Sequence, residues 1–252
     1  MRHTIQPIDR QLLAATQCDV RSARHLITGG ASALDGFWDD LPKEERDQVD
    51  QLASYLEEGQ VQLLGINDKS FPDGLRDLRT PPPFLFAVGN LALLSERSIG
   101  FSGSRDATDA ALEATAVCAR EAYEAGFVVV AGLARGVDGV AHQTAIASGG
   151  STIAVLPEGI RSATIRISGE YEDSFPSENF LAVSQFQVDA KWMVGRAMAR
   201  NGTVIAISEA LVLMSAQETG GSYEAGKSAL KANSQVLSPA FAEKRSPGTS
   251  SL

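Results

Sequence analysis

From Ser98 onward the sequence alternates short apolar, β-branched runs with longer segments of helical periodicity, and this alternation limits the chain to very few folds. Ile99-Gly100-Phe101 begins a strand, and Ala107 to Ala125 has the length and spacing of a helix. Phe127 to Ala131 is a β-branched strand, a helix follows from about Val137 to Ala147, and Thr152 to Leu156 is another strand. A helix across Lys191–Arg200, a strand at Leu211–Met214, a helix at Tyr223–Leu230 and a strand at Gln235–Leu237 complete the series. Strands that alternate with helices are joined by right-handed crossovers, so the expectation is an α/β chain with a doubly wound, mostly parallel sheet.

The residues before this pattern read differently. Gln6 to Ala15, Ser22 to Ile27 and Glu44 to Glu57 carry apolar residues at helical spacing, with Gly29-Gly30 and Asp35-Gly36 as punctuation. Val61 to Gly65 is a short strand candidate. The stretch from Phe71-Pro72-Asp73 to Pro81-Pro82-Pro83 is expected to be irregular, because three successive prolines donate no amide hydrogen bonds and fix φ. The organisation expected is a small, mainly helical N-terminal domain over 1–70, a proline-rich connection over 71–97, an α/β domain over 98–245 and a tail over 246–252.

Bulk properties exclude some classes. The 252 residues are 44% hydrophobic and 21% charged, as in ordinary globular chains. No apolar run approaches the roughly 20 residues that a bilayer requires, and no apolar stretch follows the basic N-terminus, so neither a membrane span nor a secretory leader is expected. Cys18 and Cys118 lie too far apart in sequence to suggest a disulfide framework, which fits a cytoplasmic protein. The formal net charge of −9 is spread over both halves. Any binding of phosphates must therefore be local, and strongly dependent on salt.

In an open α/β sheet, ligands bind beyond the carboxyl ends of the strands, where loops enter helices. Three such loops are rich in small residues: Ser102-Gly103-Ser104-Arg105-Asp106, Gly132-Leu133-Ala134-Arg135-Gly136-Val137-Asp138, and Glu218-Thr219-Gly220-Gly221-Ser222. Glycine lets backbone amides approach an anion, helix N-termini add partial positive charge, and arginine grips phosphate oxygens. One such loop is usually plain turn chemistry. Two bearing arginines in tandem read as a phosphate cradle, although none is a Walker A loop or a full GxGxxG fingerprint.

Catalytic signals are few. Asp138 and His142 share a helical face and read either as an acid–base pair or, preferably, with His142 as a histidine hydrogen-bonded locally to fix the helix start. No histidine or cysteine stands at metal-ligand spacing, and Ser102 and Ser104 lie in no nucleophile elbow. Lys191, Arg196 and Arg200, with Trp192 and Phe186 nearby, fit equally a solvated helix face and a basic strip on which bases stack.

These blocks resemble the DprA/Smf family. Ser102-Gly103-Ser104-Arg105 precedes Ala131-Gly132-Leu133-Ala134-Arg135-Gly136-Val137-Asp138 and Ala141-His142, as that family's Gly-Ser-Arg loop precedes its (S/A)GxAxGxDxxAH segment. Gly149 to Leu156, Phe175-Pro176-Ser177-Glu178-Asn179, Arg200-Asn201 with Ile205 and Ser208, and Gly220-Gly221-Ser222 resemble later family blocks in the same order. The resemblance runs from about residue 60 to 240. It implies a Rossmann-like domain without catalytic activity or cofactor that binds single-stranded DNA, loads a RecA-type recombinase during transformation and related recombination, and acts as a homodimer. Carried onto this sequence, the DNA-binding residues would be Gly103, Ser104, Arg105, Gly132, Ala134, Arg135, Gly136, Lys191, Arg200, Asn201, Gly220, Gly221 and Ser222.

Departures from the family pattern are an extended stretch over 159–174, a Phe-Pro turn without lysine or arginine, and an end at Leu252 ahead of the winged-helix module that many members carry. Two other readings stand beside the first. Gly220-Gly221-Ser222-Tyr223-Glu224 partly resembles the loop of lysine-decarboxylase-like phosphoribohydrolases, which would make the protein a nucleotide-binding or nucleotide-cleaving enzyme acting through Glu224. A diverged, defence-associated partner protein is the third.

Overall fold

The computed structural model describes residues 8–162, 167, 169, 171, 175, 177–215 and 220–238. Four helices come first: α1 (Arg10–Thr16), α2 (Val20–Thr28), α3 (Ala31–Asp40) and α4 (Lys43–Glu58). Asp9 and Asp19 cap α1 and α2, each carboxylate accepting two backbone amides of the first turn. Helix α3 was not expected, because Asp35-Gly36 reads as punctuation. Gly36 instead lies inside the helix, which forms because tertiary packing of Leu34, Phe37 and Trp38 outweighs the modest helix penalty of one glycine.

Strand β1 (Gln62–Gly65) is followed by a single helical turn, α5 (Asp73–Arg76), within the stretch expected to be irregular. Pro72 stands at its N-cap and Pro81 beyond its end, so neither ring interrupts the turn. Inside 71–97 lies a strand as well, β2 (Phe84–Gly89), which begins directly after the prolines and is followed by a 3-10 turn at Leu91–Ser95. The series continues with β3 (Ser98–Gly103), α6 (Asp109–Glu124), β4 (Val128–Ala131), α7 (Val137–Ala147), β5 (Thr152–Val155), β6 (Phe180–Ser184), α8 (Val194–Ala206), β7 (Ala210–Met214), α9 (Gly221–Lys231) and β8 (Gln235–Leu237).

All eight strands form one sheet in the order β1-β2-β6-β5-β4-β3-β7-β8. From β6 to β8 every pairing is parallel, whereas β1–β2 and β2–β6 are antiparallel. Both faces are covered, and the period of two along each strand decides which side chain meets which layer. Val128 and Val130 of β4 face the layer of α8 and α9, while Val129 and Ala131 face α6 and α7. Toward the β1 end, Ala154, Phe180 and Ala182 pack with Leu12, Leu13, Ile27 and Leu56 of the N-terminal helices. The architecture is therefore the expected Rossmann-like, doubly wound α/β sheet. Among the described residues no helix is long and apolar enough to cross a membrane.

Candidate functional site

The chain starts its parallel sheet at β3, winds outward to β6, and returns to the far side of β3 to make β7. The helices that follow β3 and β7, α6 and α9, lie on opposite faces, so a crevice opens beyond the carboxyl ends of these strands. The loop 104–108 borders that crevice, as do Ser215 at the end of β7 and Gly220 before α9. Ser222 Oγ, in the first turn of α9, donates to the Gly103 carbonyl at 2.6 Å, and Asn201 Nδ2 of α8 donates to the Gly221 carbonyl at 3.2 Å. These bonds tie together three of the segments expected to meet.

The first two loops are locked to each other. Gly136 has φ +79°, and a Cβ there would approach the carbonyl oxygens of Ser104 and Arg105 to 2.5 and 2.7 Å. Only glycine satisfies both conditions. The Val137 amide then donates to Ser104 O at 3.3 Å, which aligns the start of α7 with the tip of the first loop.

Beneath the loops lies a buried ion pair. Asp138 accepts the amides of Gly132 (3.1 Å) and Ala134 (3.4 Å), and Arg200 Nη1 stands 3.8 Å from the same carboxylate oxygen. Gly132 is needed for this approach, because a Cβ there would occupy the position of the Arg200 guanidinium. Burial pushes the Asp138 carboxyl upward, while Arg200 and the two amides act in the opposite sense. The carboxylate is occupied in shaping the loop. Arg200, which the basic strip required to be exposed, is only 7% accessible.

His142 makes no acid–base pair with Asp138. Its Nδ1 lies 2.6 Å from Thr152 Oγ1, whose single proton goes to the Val129 carbonyl at 2.9 Å, so Nδ1 is the donor. The ring stacks on Phe180 and meets Tyr171 edge-on, and burial together with the charge of Arg200 lowers its pKa to about 3. Asp138 is the residue bonded at the helix start, whereas His142 fastens α7 to β5.

Two arginines reach solvent. Arg105 lies over the Trp192 ring, 5.7 Å from its centroid, and Arg135 pairs with Asp106 at 2.7 Å. The Arg105–Trp192 contact separates two cavities that share Arg105, Ala134, Trp192 and Arg200. One, of about 510 Å³, is lined by Gly103, Ser104, Asn201, Gly220, Gly221, Ser222, Met198 and Glu224. The other, of about 670 Å³, is lined by Gly132, Arg135, Gly136, Gln143, Glu158 and Tyr171. Twelve of the thirteen sequence-named residues thus line one cavity or the other.

Lys191 is the exception. It precedes α8, which begins three residues later than the spacing suggested, and its carbonyl accepts the Arg196 guanidinium. The basic residues therefore do not form one exposed helix face. Sequence reasoning missed Gln143, Tyr171 and Met198, which carry no motif and reach the cavities only through packing. Glu218, Thr219, Pro176 and most of 159–174 lie outside the described residues, as does the tail over 246–252.

A family model described as DNA recombination-mediator protein A matches residues 62–252. DNA processing protein DprA of Bacillus subtilis (strain 168) is 29% identical over 205 residues, covering 81% of this chain and 66% of that protein. Protein Smf of Synechocystis (strain PCC 6803) is 30% identical over 191 residues, covering 73% of this chain and 48% of the relative. The chain thus spans about half to two thirds of the length of these curated relatives. The solved structure of DprA from Streptococcus pneumoniae superposes with a TM-score of 0.72 at 21% identity, over 98% of this chain and 87% of that one, a likeness of fold. DNA processing protein A from Helicobacter pylori, a structure concerned with that protein's single-stranded DNA binding mode, gives a TM-score of 0.63 at 26% identity. It covers 75% of this chain and 86% of that one.

Proposed function

Since this chain belongs to the DNA recombination-mediator protein A family, a family of DNA-processing proteins, we propose that it binds single-stranded DNA across the Arg105–Trp192 ridge without catalysing a reaction. The observation that carries this reading is the pair of cavities on either side of one exposed arginine stacked on one exposed tryptophan. Arg105 clasps a backbone phosphate at the ridge, and the loop amides around Gly103, Ser104, Gly220 and Gly221 take the next. Bases enter the cavities on each side, where Trp192 offers a face for stacking. Arg135 exchanges Asp106 for a phosphate, an inexpensive step because exposed ion pairs contribute little. Arg200 acts from below as a fixed positive charge, and Lys191 contributes from the rim.

The proposal includes a RecA-type recombinase and a second copy of this chain as partners, in the cytoplasm, in transformation or related recombination. It rests on the family and on the relatives' names. The net charge of −9 opposes DNA at long range, so affinity is local and falls steeply with salt.

The test is fluorescence anisotropy with a labelled single strand and its duplex at low and moderate salt. Tighter binding of the single strand is expected, and Arg105→Ala weakens it and flattens the salt slope by about one unit. Wild-type affinity in both Arg105→Ala and Arg135→Ala would remove the ridge from the proposal. The second reading, a nucleotide-cleaving enzyme, is favoured by one observation, the Glu224 carboxylate in the 510 Å³ cavity. Release of free base from nucleoside monophosphates, abolished in Glu224→Gln, would establish that reading instead.

A further inference from the structure

A cavity that holds only phosphate has no use for a carboxylate, yet Glu224 lines the smaller cavity together with Arg105. The side chain stands in the first turn of α9, and its Oε1 accepts the Lys227 ammonium at 3.0 Å. A second carboxylate oxygen is left to accept. Of the other polar side chains on this wall, Ser222 is committed in the same sense and Asn201 adds an acceptor. Ser222 has given its only proton to the Gly103 carbonyl, so its oxygen offers lone pairs alone. Asn201 directs one N–H of Nδ2 at the Gly221 carbonyl and keeps its Oδ1 acceptor beside the second N–H. The cavity therefore joins a cationic ridge, phosphate-binding loop amides and apolar walls from Trp192 and Met198 to side-chain acceptors of Glu224, Ser222 and Asn201.

A ligand that satisfies these acceptors must bring donors. Phosphate oxygens bring none. Thymine brings one N–H between two carbonyl oxygens, which would face the acceptors unfavourably. Adenine and cytosine each carry one exocyclic amino group beside a ring acceptor. Guanine alone carries two adjacent donors, N1–H and the N2 amino group, which together match a carboxylate edge. We infer that Glu224 reads the base lodged in this cavity and that the site prefers guanine to thymine. The inference deepens the single-strand reading and rests on it.

The experiment is competition anisotropy with the full chain, using a short oligothymidylate and the same strand carrying one central guanine. The guanine strand should bind about tenfold tighter, the scale of one well-placed pair of base-edge bonds. Replacing guanine by hypoxanthine, which lacks the N2 amino group, should remove most of that gap without any change to the protein. Glu224→Gln, its fold checked by circular dichroism, should reduce the ratio to about two or below. Equal affinity of wild type for the two strands, or a ratio that survives Glu224→Gln, overturns the inference and leaves the single-strand reading standing. Failure of both strands to bind overturns the single-strand reading and the inference with it.

Discussion

At the scale of single residues, the site depends on a buried charge pair. Asp138 and Arg200 are both nearly inaccessible, and Asp138 also holds two loop amides. Asp138→Asn keeps an acceptor for the amides but removes the buried negative charge 3.8 Å from the Arg200 guanidinium. Breaking a buried pair on one side is costly, so a loss of about 3 kcal/mol is expected in urea denaturation. His142 supplies a pH dependence of known sign. Its pKa is about 3 in the folded protein against 6.5 when unperturbed, so between those values the unfolded chain binds a proton that the folded chain does not. The stability that this residue confers is complete above pH 6.5 and is lost as pH falls toward 3. The slope approaches about 1.4 kcal/mol per pH unit. Unfolding free energies of wild type and His142→Gln measured from pH 7 to 5 should diverge in slope, the variant being flatter; parallel curves would contradict this.

At the scale of elements, the recurring lesson is how glycine is used. Gly136 has a positive φ and Gly132 lies against a side chain, so both are fixed by geometry. Gly36 is neither: it lies inside α3, and a Cβ there meets nothing within 4 Å. Gly36→Ala should therefore stabilise the protein by about 0.5–1 kcal/mol, read as a raised melting temperature. An unchanged or lower value would mean that α3 does not limit stability. The same elements show what was legible. Helix α7 over Val137–Ala147 and strand β8 over Gln235–Leu237 coincide with the sequence reading, because periodicity and flanking turns agreed. In the sequence, β2 reads as connection and β6 carries no strand signal of its own. Each is a short, mostly apolar run whose strand character comes from its neighbours in the sheet. Helix α8 begins after Lys191 and Trp192, a shift that separates the basic residues sequence spacing had joined.

At the scale of the whole molecule, one apolar cluster runs from Leu13 and Leu56 of the N-terminal helices through Phe86 of β2 to Phe180 of β6. Trp38 of α3 packs against that cluster. Fluorescence of Trp38, read in a Trp192→Phe background, and far-ultraviolet circular dichroism should report one coincident transition in urea. Two separated transitions would favour an independently stable unit over 1–70.

The sequence by itself determined the sheet class, the family, and nearly all of the loop residues around the crevice. Those properties are local: strand and helix periods, glycines at turns, and arginines beside them. Only the tertiary structure decided which charges are available. Arg105 and Arg135 face solvent while Arg200 is buried against Asp138, and Glu224 shares a cavity with Arg105 across more than a hundred residues of sequence. Burial and ion pairing are set by what the crossovers bring together, and no spacing along the chain encodes that distance.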